Sequence, residues 1–348
     1  MKWKIFLISL VFIVFSCQNK DEKTSEKLQK ISERVHYVKN SDGVEIQSGK
    51  FKFLIKKSDL PFKKVVLLSS SHAGYFLELQ KQDVIIGISS PEYVYSPVLR
   101  KLLAKGKIKN VGSEQKYDIE KIIALKPDVV FCNYVESFSN TYEVLKNNNI
   151  KVIFVDEYME DQPLQKTRLI ELFGLLIGEE ELAKQRYAAI AKKYNELKNI
   201  SKSSNEIPSV LTNEMYGNQW FVPGGASYLA QFIKDAHADY IFKDTKSTTS
   251  TPFPFEEVFV KSQKAKVWIN IGDRRSKSDL LAFNPNYAKM KVYQNGKLYS
   301  LGGSVDGNSN DAFESGVVRA DLFLKDYITI FHPDLFSTKD LKYLKEIK

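Results

Sequence analysis

Apolar and polar positions alternate along the chain in two different patterns. Residues 34–57 alternate with a period of two around a turn at Asn40–Gly43, which predicts a β-hairpin. From residue 63 onward, short apolar runs alternate with segments of helical spacing, and this pattern is typical of a parallel sheet covered on both faces. The predicted strands of this first series lie at residues 63–70, 84–89, 108–111, 127–131 and 151–155.

Helical spacing then continues without interruption over residues 164–199, which predicts one long helix with a kink at Gly178. A polar loop follows, and a second αβ series opens. Its predicted strands and helices lie at residues 209–212, 227–236, 255–261, 265–271, 297–301 and 317–332. We therefore expect an α/β lobe, a long helix and a second α/β lobe. The loops at the carboxyl ends of the strands would line a ligand cleft between the lobes.

The first residues set the cellular compartment. Lys2 and Lys4 precede an apolar run from Ile5 to Phe15, which is typical of a secretory signal peptide and too short for a permanent span. Phe15-Ser16-Cys17 resembles a bacterial lipobox, whose cysteine receives the lipid; an uncleaved short anchor is the alternative. The expected division is signal peptide 1–16, flexible tether 17–33, N-terminal lobe 34–160, connecting helix 161–200 and C-terminal lobe 201–348.

Composition adds limits to this picture. The chain is 43% hydrophobic and 27% charged, as a globular protein is, and its net charge of +9 comes from scattered lysines. No basic tract dominates, so we expect no nucleic acid partner and only a weak attraction for anions. If Cys17 carries lipid, Cys132 has no disulfide partner and is best interpreted as a small buried hydrophobic residue.

Sequence signatures of catalysis are absent. Residues 43–50 superficially suggest a phosphate-binding loop, but they have one residue too many between the glycines and lie in a predicted hairpin. The four histidines are scattered through the chain, so we expect no metal site, no resident cofactor and no enzyme activity. A hydrolase or nitrogenase-like protein on the same scaffold remains a rival interpretation, although a lone cysteine argues against a cysteine-bound cluster.

Two segments carry a family resemblance. Tyr117–Phe131 (YDIEKIIALKPDVVF) closely resembles a signature of the periplasmic binding proteins for ferric siderophores, haem and cobalamin. Phe255–Ile269 resembles the matching helix and strand of the second lobe in that family. The Gly-Gly turn at Gly224 and the terminal segment from Ser315 to Pro333 also resemble family features, in the same order along the chain.

The resemblance implies two Rossmann-like lobes joined by one long α-helix, with the ligand in a cleft between them. It also implies that Glu120 and Glu256 dock onto arginines of a membrane permease, although Glu257 could replace Glu256. A carboxylate in the first turn of a helix is also favoured by the helix dipole alone. The implied partners are the permease and ATPase subunits of an ABC importer, a metal chelate, and the membrane through the lipid anchor; a monomer is implied.

Strand-end loops supply the candidate ligand contacts. Aromatic walls would suit a large flat chelate, and arginine would bind carboxylate or catecholate oxygens. The candidates are Ser71, His72, Tyr93, Tyr95, Asn133, Tyr134, Tyr158, Tyr216, Trp220, Arg274 and Arg275. The expected cargo is a ferric siderophore, with haem or cobalamin as alternatives. The expected location is the cell envelope, lipid-anchored in the periplasm, unless Lys20-Asp21-Glu22 is a surface-export signal, which it resembles.

Overall fold

The computed structural model describes residues 27–272, 274 and 276–348, and it begins with a small antiparallel sheet. The predicted hairpin is present, and a third strand and a short first strand extend it. Asn40 fixes the hairpin turn because its side-chain oxygen accepts hydrogen bonds from the backbone N–H groups of Asp42 and Gly43. The strands are β1 (Gln29–Lys30), β2 (Val35–Lys39), β3 (Gly43–Ser48) and β4 (Phe51–Lys56), in that order across the sheet.

The predicted tether is wrong over its last residues. Gln29 and Lys30 pair with β2, Ile31 and Ser32 are buried, and the Ser32 hydroxyl donates to Glu160 over 2.7 Å. One apolar residue and one well-placed hydroxyl are enough to hold a segment whose composition is otherwise that of a linker. The predicted signal peptide, the rest of the tether to residue 26 and the lipidation site Cys17 lie outside the described residues.

The N-terminal lobe is built on a parallel sheet with strand order β11-β10-β5-β6-β7. Every strand of the first predicted series is present, and the four longer ones are short, mostly buried apolar runs, whereas β7 is an exposed edge strand. Its elements are β5 (Val65–Leu67), α1 (Ala73–Glu78), β6 (Ile85–Ile88), α2 (Pro97–Ala104), β7 (Lys109–Asn110), β8 (Gly112–Ser113), β9 (Lys116–Tyr117), α3 (Ile119–Leu125), β10 (Val129–Cys132), α4 (Ser139–Asn147) and β11 (Lys151–Phe154).

The connecting segment contains three helices instead of one. It consists of α5 (Pro163–Arg168), α6 (Ile170–Leu176) and α7 (Glu180–Ser201). The chain breaks before α7 because Gly178 takes a left-handed φ of 79°, which an α-helix cannot include. The early residues of α7 pack in the core of the N-terminal lobe, whereas Tyr194 and Leu197 pack in the core of the C-terminal lobe. The 22 residues of α7 therefore bridge the two lobes.

The C-terminal lobe is built on a second sheet, with strand order β15-β12-β17-β18-β21 and an antiparallel last strand. A small sheet of β13, β14 and β16 was not predicted. The elements are β12 (Ser209–Thr212), β13 (Met215–Tyr216), β14 (Gln219–Pro223), α8 (Tyr228–Asp235), β15 (Asp239–Tyr240), β16 (Ser250–Phe253), α9 (Phe255–Lys261), β17 (Val267–Ile271), α10 (Lys277–Phe283), α11 (Lys291–Asn295), β18 (Lys297–Ser300), β19 (Val305–Asp306), β20 (Ser309–Asn310), α12 (Ser315–Val318), α13 (Ala320–Phe331) and β21 (Lys345–Glu346).

A second connection between the lobes runs through α12. Val317 and Val318 are buried in the core of the N-terminal lobe, although the strands before them belong to the other lobe. Helix α12 crosses α1 so closely that a Cβ atom on Gly74 would lie 2.1 Å from the carbonyl oxygen of Glu314. The predicted architecture of two α/β lobes is thus confirmed. Across the described ranges, every helix is too short or too polar to cross a bilayer.

Candidate functional site

A cleft of about 340 Å³ opens between the two lobes. It lies where β5 and β6 end, the edge at which parallel sheets usually bind ligands. The hairpin of β19 and β20 and the residues after it supply the opposite wall. The lining residues are Ser69, Ser70, Ser71, Tyr93 and Glu114 from the N-terminal lobe, and Asn308, Asn310 and Phe313 from the C-terminal segment.

A buried carboxylate lies behind the serine wall. The Ser71 hydroxyl donates to Glu157 Oε1 over 2.7 Å, and His72 Nε2 lies 3.0 Å from Glu157 Oε2 and 2.9 Å from the carbonyl oxygen of Val155. Burial alone would raise the pKa of Glu157. The charge of His72, its hydrogen bond, the charge of Lys166 and the bond from Ser71 outweigh burial and bring that pKa to about 2.

This arrangement corrects the role predicted for His72. Its side chain is fully buried, and its Nε2 faces two oxygen acceptors instead of the cleft. The ring therefore orients the carboxylate behind the wall and cannot contact a ligand in this conformation. Asn133 belongs to the same group, since its side-chain nitrogen, in the alternative amide orientation, lies 2.8 Å from Glu157 Oε2.

Beside the cleft, Glu314 ties the two lobes together. Its carboxylate accepts hydrogen bonds of 2.9 Å from the backbone N–H groups of both Tyr95 and Ser96. Burial raises the pKa of Glu314 to about 7, against the opposing effect of these two bonds. Arg100 adds a second tie, because its guanidinium bonds to the carboxylate of Asp306 and to the hydroxyl of Ser309.

Of the aromatic contacts predicted in the N-terminal lobe, some lie at the cleft and the others lie away from it. Tyr93 lines the cleft and is 43% exposed. Tyr95 lies next to it in the chain and is half-buried, and its backbone N–H donates to the Glu314 carboxylate. Tyr134 instead packs between Phe51 and Phe154 on the side of the antiparallel sheet, with ring centroids 4.6 and 5.1 Å away. Tyr158 is more than half exposed but is not among the residues that line the cleft.

The two aromatic residues predicted from the second lobe do not line the cleft either. Tyr216 is 80% exposed on the hairpin of β13 and β14. Trp220 is fully buried against Trp268 and Tyr287, and its Nε1–H donates to the carbonyl oxygen of Thr212 over 2.9 Å. The expectation of a ligand contact at Trp220 is therefore wrong, because β14 turns this side chain into the core of the lobe.

Arg274 is only partly available to a ligand. Its Nε–H lies 3.3 Å from a carboxylate oxygen of Glu214, and its guanidinium stacks 4.3 Å above the ring of Phe283. It lines a separate groove of about 370 Å³ that shares Asp306 with the ion pair beside the cleft. Arg275 lies outside the described residues.

Several lining residues escaped prediction. Glu114, Asn308, Asn310 and Phe313 were all missed, as was Glu314. The segment GGSVDGNSND at 302–311 carried a usable signal, because it is polar and directly follows the predicted strand at 297–301. Applying the strand-end rule there as well would have placed this wall of the cleft.

The candidate docking residues are accessible. Glu120 lies in the first turn of α3, Glu256 and Glu257 lie in the first turn of α9, and all three are exposed. Within the described parts of the chain, no group of three or more His, Cys, Asp or Glu side chains could hold a metal ion. Burial raises the pKa of the Cys132 thiol, as expected for a packed hydrophobic residue.

Comparisons with known proteins agree on the fold. An uncharacterized lipoprotein of Methanocaldococcus jannaschii is 28% identical over 291 residues, covering 81% of this chain and 68% of the relative. YvrC of Bacillus subtilis, described as an uncharacterized ABC transporter substrate-binding lipoprotein, is 22% identical over 68% of this chain and 70% of its own. A periplasmic heme binding protein from Pseudomonas aeruginosa superposes with a TM-score of 0.61 at 16% identity, covering 82% of this chain and 98% of that one.

A possible iron-binding, periplasmic solute-binding protein from Staphylococcus epidermidis superposes with a TM-score of 0.60 at 18% identity, over 78% of this chain and 99% of that one. The sequence model of the periplasmic binding protein family matches residues 65–305, more than two thirds of the chain and both sheets. The chain therefore belongs to the periplasmic binding protein family, which makes it a solute-binding protein and not an enzyme.

Proposed function

We propose that this chain is the substrate-binding lipoprotein of an ABC importer, which captures a ferric siderophore and delivers it to the permease. The observation that carries the proposal is the cleft between the lobes. Its two aromatic side chains, Tyr93 and Phe313, come from opposite walls and are 43% and 62% exposed, so both can offer ring area to a ligand in the cleft. The serines and asparagines around them supply hydrogen bonds to a polar chelate.

The chemistry of the cleft favours binding over catalysis. Ser71 directly precedes His72 in sequence, but its hydroxyl donates to Glu157. A nucleophilic serine needs a base that accepts its proton and is itself accessible, whereas His72 is fully buried and turned toward Glu157 and Val155. This geometry speaks against the rival hypothesis of a hydrolase on the same scaffold.

The connections between the lobes favour a small change of shape on binding. Helix α7 packs in both cores, α12 is inserted in the N-terminal lobe, and Arg100 bonds to Asp306 across the junction. Three separate connections restrict the relative rotation of two lobes more than flexible linkers would. We expect the cleft to close by a modest hinge motion, with the cargo still reachable from the open side.

The proposed docking of the protein onto the permease uses Glu120 and Glu256. The helices α3 and α9 each precede a parallel strand of their lobe, and in such units the helix runs against the strands. We therefore expect their first turns to lie on the side of each sheet where the cleft opens. Carboxylates in this position would set orientation and association rate at a basic permease surface. A lipid on Cys17 would hold the receptor, as a monomer in the cell envelope, near the permease and ATPase subunits.

A thermal-shift panel tests the proposed function. The full-length protein, purified in detergent, would be challenged with ferric siderophores, haemin and cobalamins. A true cargo at a hundred times its dissociation constant should stabilise the fold by about 2.7 kcal/mol. The double variant Tyr93→Ala/Phe313→Ala should lose this shift, and Tyr216→Ala, an exposed tyrosine outside the cleft, should keep it. A panel in which haemin or a cobalamin alone stabilises the protein would replace the siderophore with that ligand.

A further inference from the structure

We propose that the cleft selects ferric chelates without net negative charge, namely neutral or cationic complexes such as trihydroxamates, over multiply anionic ones. This inference rests on the proposed function, because it specifies the class of chelate. It also reverses an expectation from the sequence, in which arginines would recognise a carboxylate or catecholate. The argument begins with the chemistry of the walls.

The walls offer neutral hydrogen-bonding groups and one carboxylate. Three serines, two asparagines and Tyr93 can donate and accept without bringing charge, and Phe313 adds apolar area. Among the lining residues that the structure describes, Glu114 is the one that carries a formal charge. Its backbone is held in place, since its N–H donates to the Ser90 hydroxyl over 3.0 Å. A chelate in the cleft therefore meets a negative group at the rim.

Three cations on neighbouring segments are already engaged with carboxylates. Arg100 bonds to Asp306. Lys342 lies 2.7 Å from the carboxylate of Asp311, and Arg274 lies 3.3 Å from that of Glu214. Diverting Lys342 or Arg274 to an anionic ligand would leave a largely buried carboxylate, Asp311 or Glu214, without compensation, which offsets much of the new attraction.

The overall positive charge does not override this local pattern. A net charge of +9 speeds the approach of an anion over long distances, but salt screens such fields beyond about 8 Å at physiological ionic strength. Selection between bound chelates depends on the groups they touch. We therefore expect a neutral or cationic complex to bind at least about tenfold more tightly than a triply negative one, a factor equal to about 1.4 kcal/mol.

Fluorescence titration of the full-length protein in detergent tests this inference with three probes: a neutral ferric trihydroxamate, a cationic linear one and a triply anionic tricatecholate. The first two should bind at least about tenfold more tightly than the third. Glu114→Gln should tighten the tricatecholate and weaken the cationic chelate by about threefold each, while the neutral chelate binds as before and reports an intact cleft. Glu196→Gln, on the exposed side of α7, is the matched control and should change none of the three.

Two outcomes would overturn the inference in different ways. Tightest binding of the tricatecholate refutes the charge preference while the proposed function stands, and loss of that binding in Arg275→Gln would return the recognition to the arginine predicted from sequence. If none of the three chelates binds and the ligand panel is also silent, the proposed function fails and the charge preference fails with it.

Discussion

The most quantitative prediction concerns Glu314, which is buried where the C-terminal segment meets the N-terminal lobe. The burial shifts its pKa, and the shift can be converted into a change of stability with pH. Burial raises its pKa from 4.5 to about 7. Between these two values the folded protein holds a proton that the unfolded chain has lost. The unfolding free energy must therefore fall as the pH rises through this window, so that the contribution is complete below pH 4.5 and absent above pH 7.

The magnitude follows from the size of the pKa change. Each tenfold change in proton affinity is worth about 1.4 kcal/mol, so ionised Glu314 lowers the unfolding free energy by up to about 3 kcal/mol at pH 8. Glu314→Gln removes this penalty but replaces one of the two oxygens that accept from Tyr95 and Ser96, at a cost of about 1 kcal/mol. The variant should be about 1 kcal/mol less stable than wild type near pH 4 and about 2 kcal/mol more stable at pH 8.

Urea unfolding at pH 4 and pH 8 measures this crossover directly. Other groups with shifted pKa values, Glu157 among them, are the same in both proteins and cancel in the comparison. The surface substitution Glu196→Gln controls for loss of one glutamate and should show no crossover. A stability difference between Glu314→Gln and wild type that is equal at both pH values would refute the reasoning, since the group would then not titrate in this window.

Three further predictions concern the core, the lobe junction and the permease. Trp220→Ala should lower the unfolding free energy by about 3–5 kcal/mol in urea titrations because it empties a fully buried site, yet chelate affinity should be unchanged; a selective loss of affinity would restore Trp220 as a ligand contact. Gly74→Ala should cost about 1–3 kcal/mol in the same assay, since its Cβ would lie 2.1 Å from the Glu314 carbonyl oxygen, and an unchanged midpoint would contradict that packing. Reversing Glu120 and Glu256 together to lysine should abolish cellular uptake of the iron chelate while leaving its affinity intact, and normal uptake would remove the docking role.

Local patterns predicted the sheets of both lobes well. Strands such as Val65–Leu67 and Ser209–Thr212 are short buried runs between polar segments, so the strands can be located without knowing their neighbours. The break at Gly178 was anticipated as a kink, because glycine is the residue that adopts the left-handed conformation most readily. A local pattern does not show which face of an element is covered by the other elements of the fold.

The errors in the candidate site arise from long-range pairing. Trp220 is buried because β14 pairs with β16, whose residues lie about thirty positions further along the chain. His72 points away from the cleft because it pairs with Glu157. This partner is 85 residues distant in sequence, so the pairing could not be predicted from local spacing. The C-terminal wall was missed because residues 305–313 return across the junction after the last parallel strand of their lobe. Spacing within the sequence contains neither of the first two facts, whereas the third follows once the strand-end rule is applied to residues 302–311.

The central claim, that the cleft between the lobes holds the cargo, is tested most directly by filling it. Ser70→Trp would place an indole among the lining residues, whereas Ser41→Trp adds the same group to the exposed hairpin turn of the antiparallel sheet. Equilibrium dialysis with a radioactive ferric trihydroxamate should give one chelate per molecule for wild type and Ser41→Trp, and little or none for Ser70→Trp. Full binding by a correctly folded Ser70→Trp protein would contradict the account, because the cargo would then occupy some other part of the molecule.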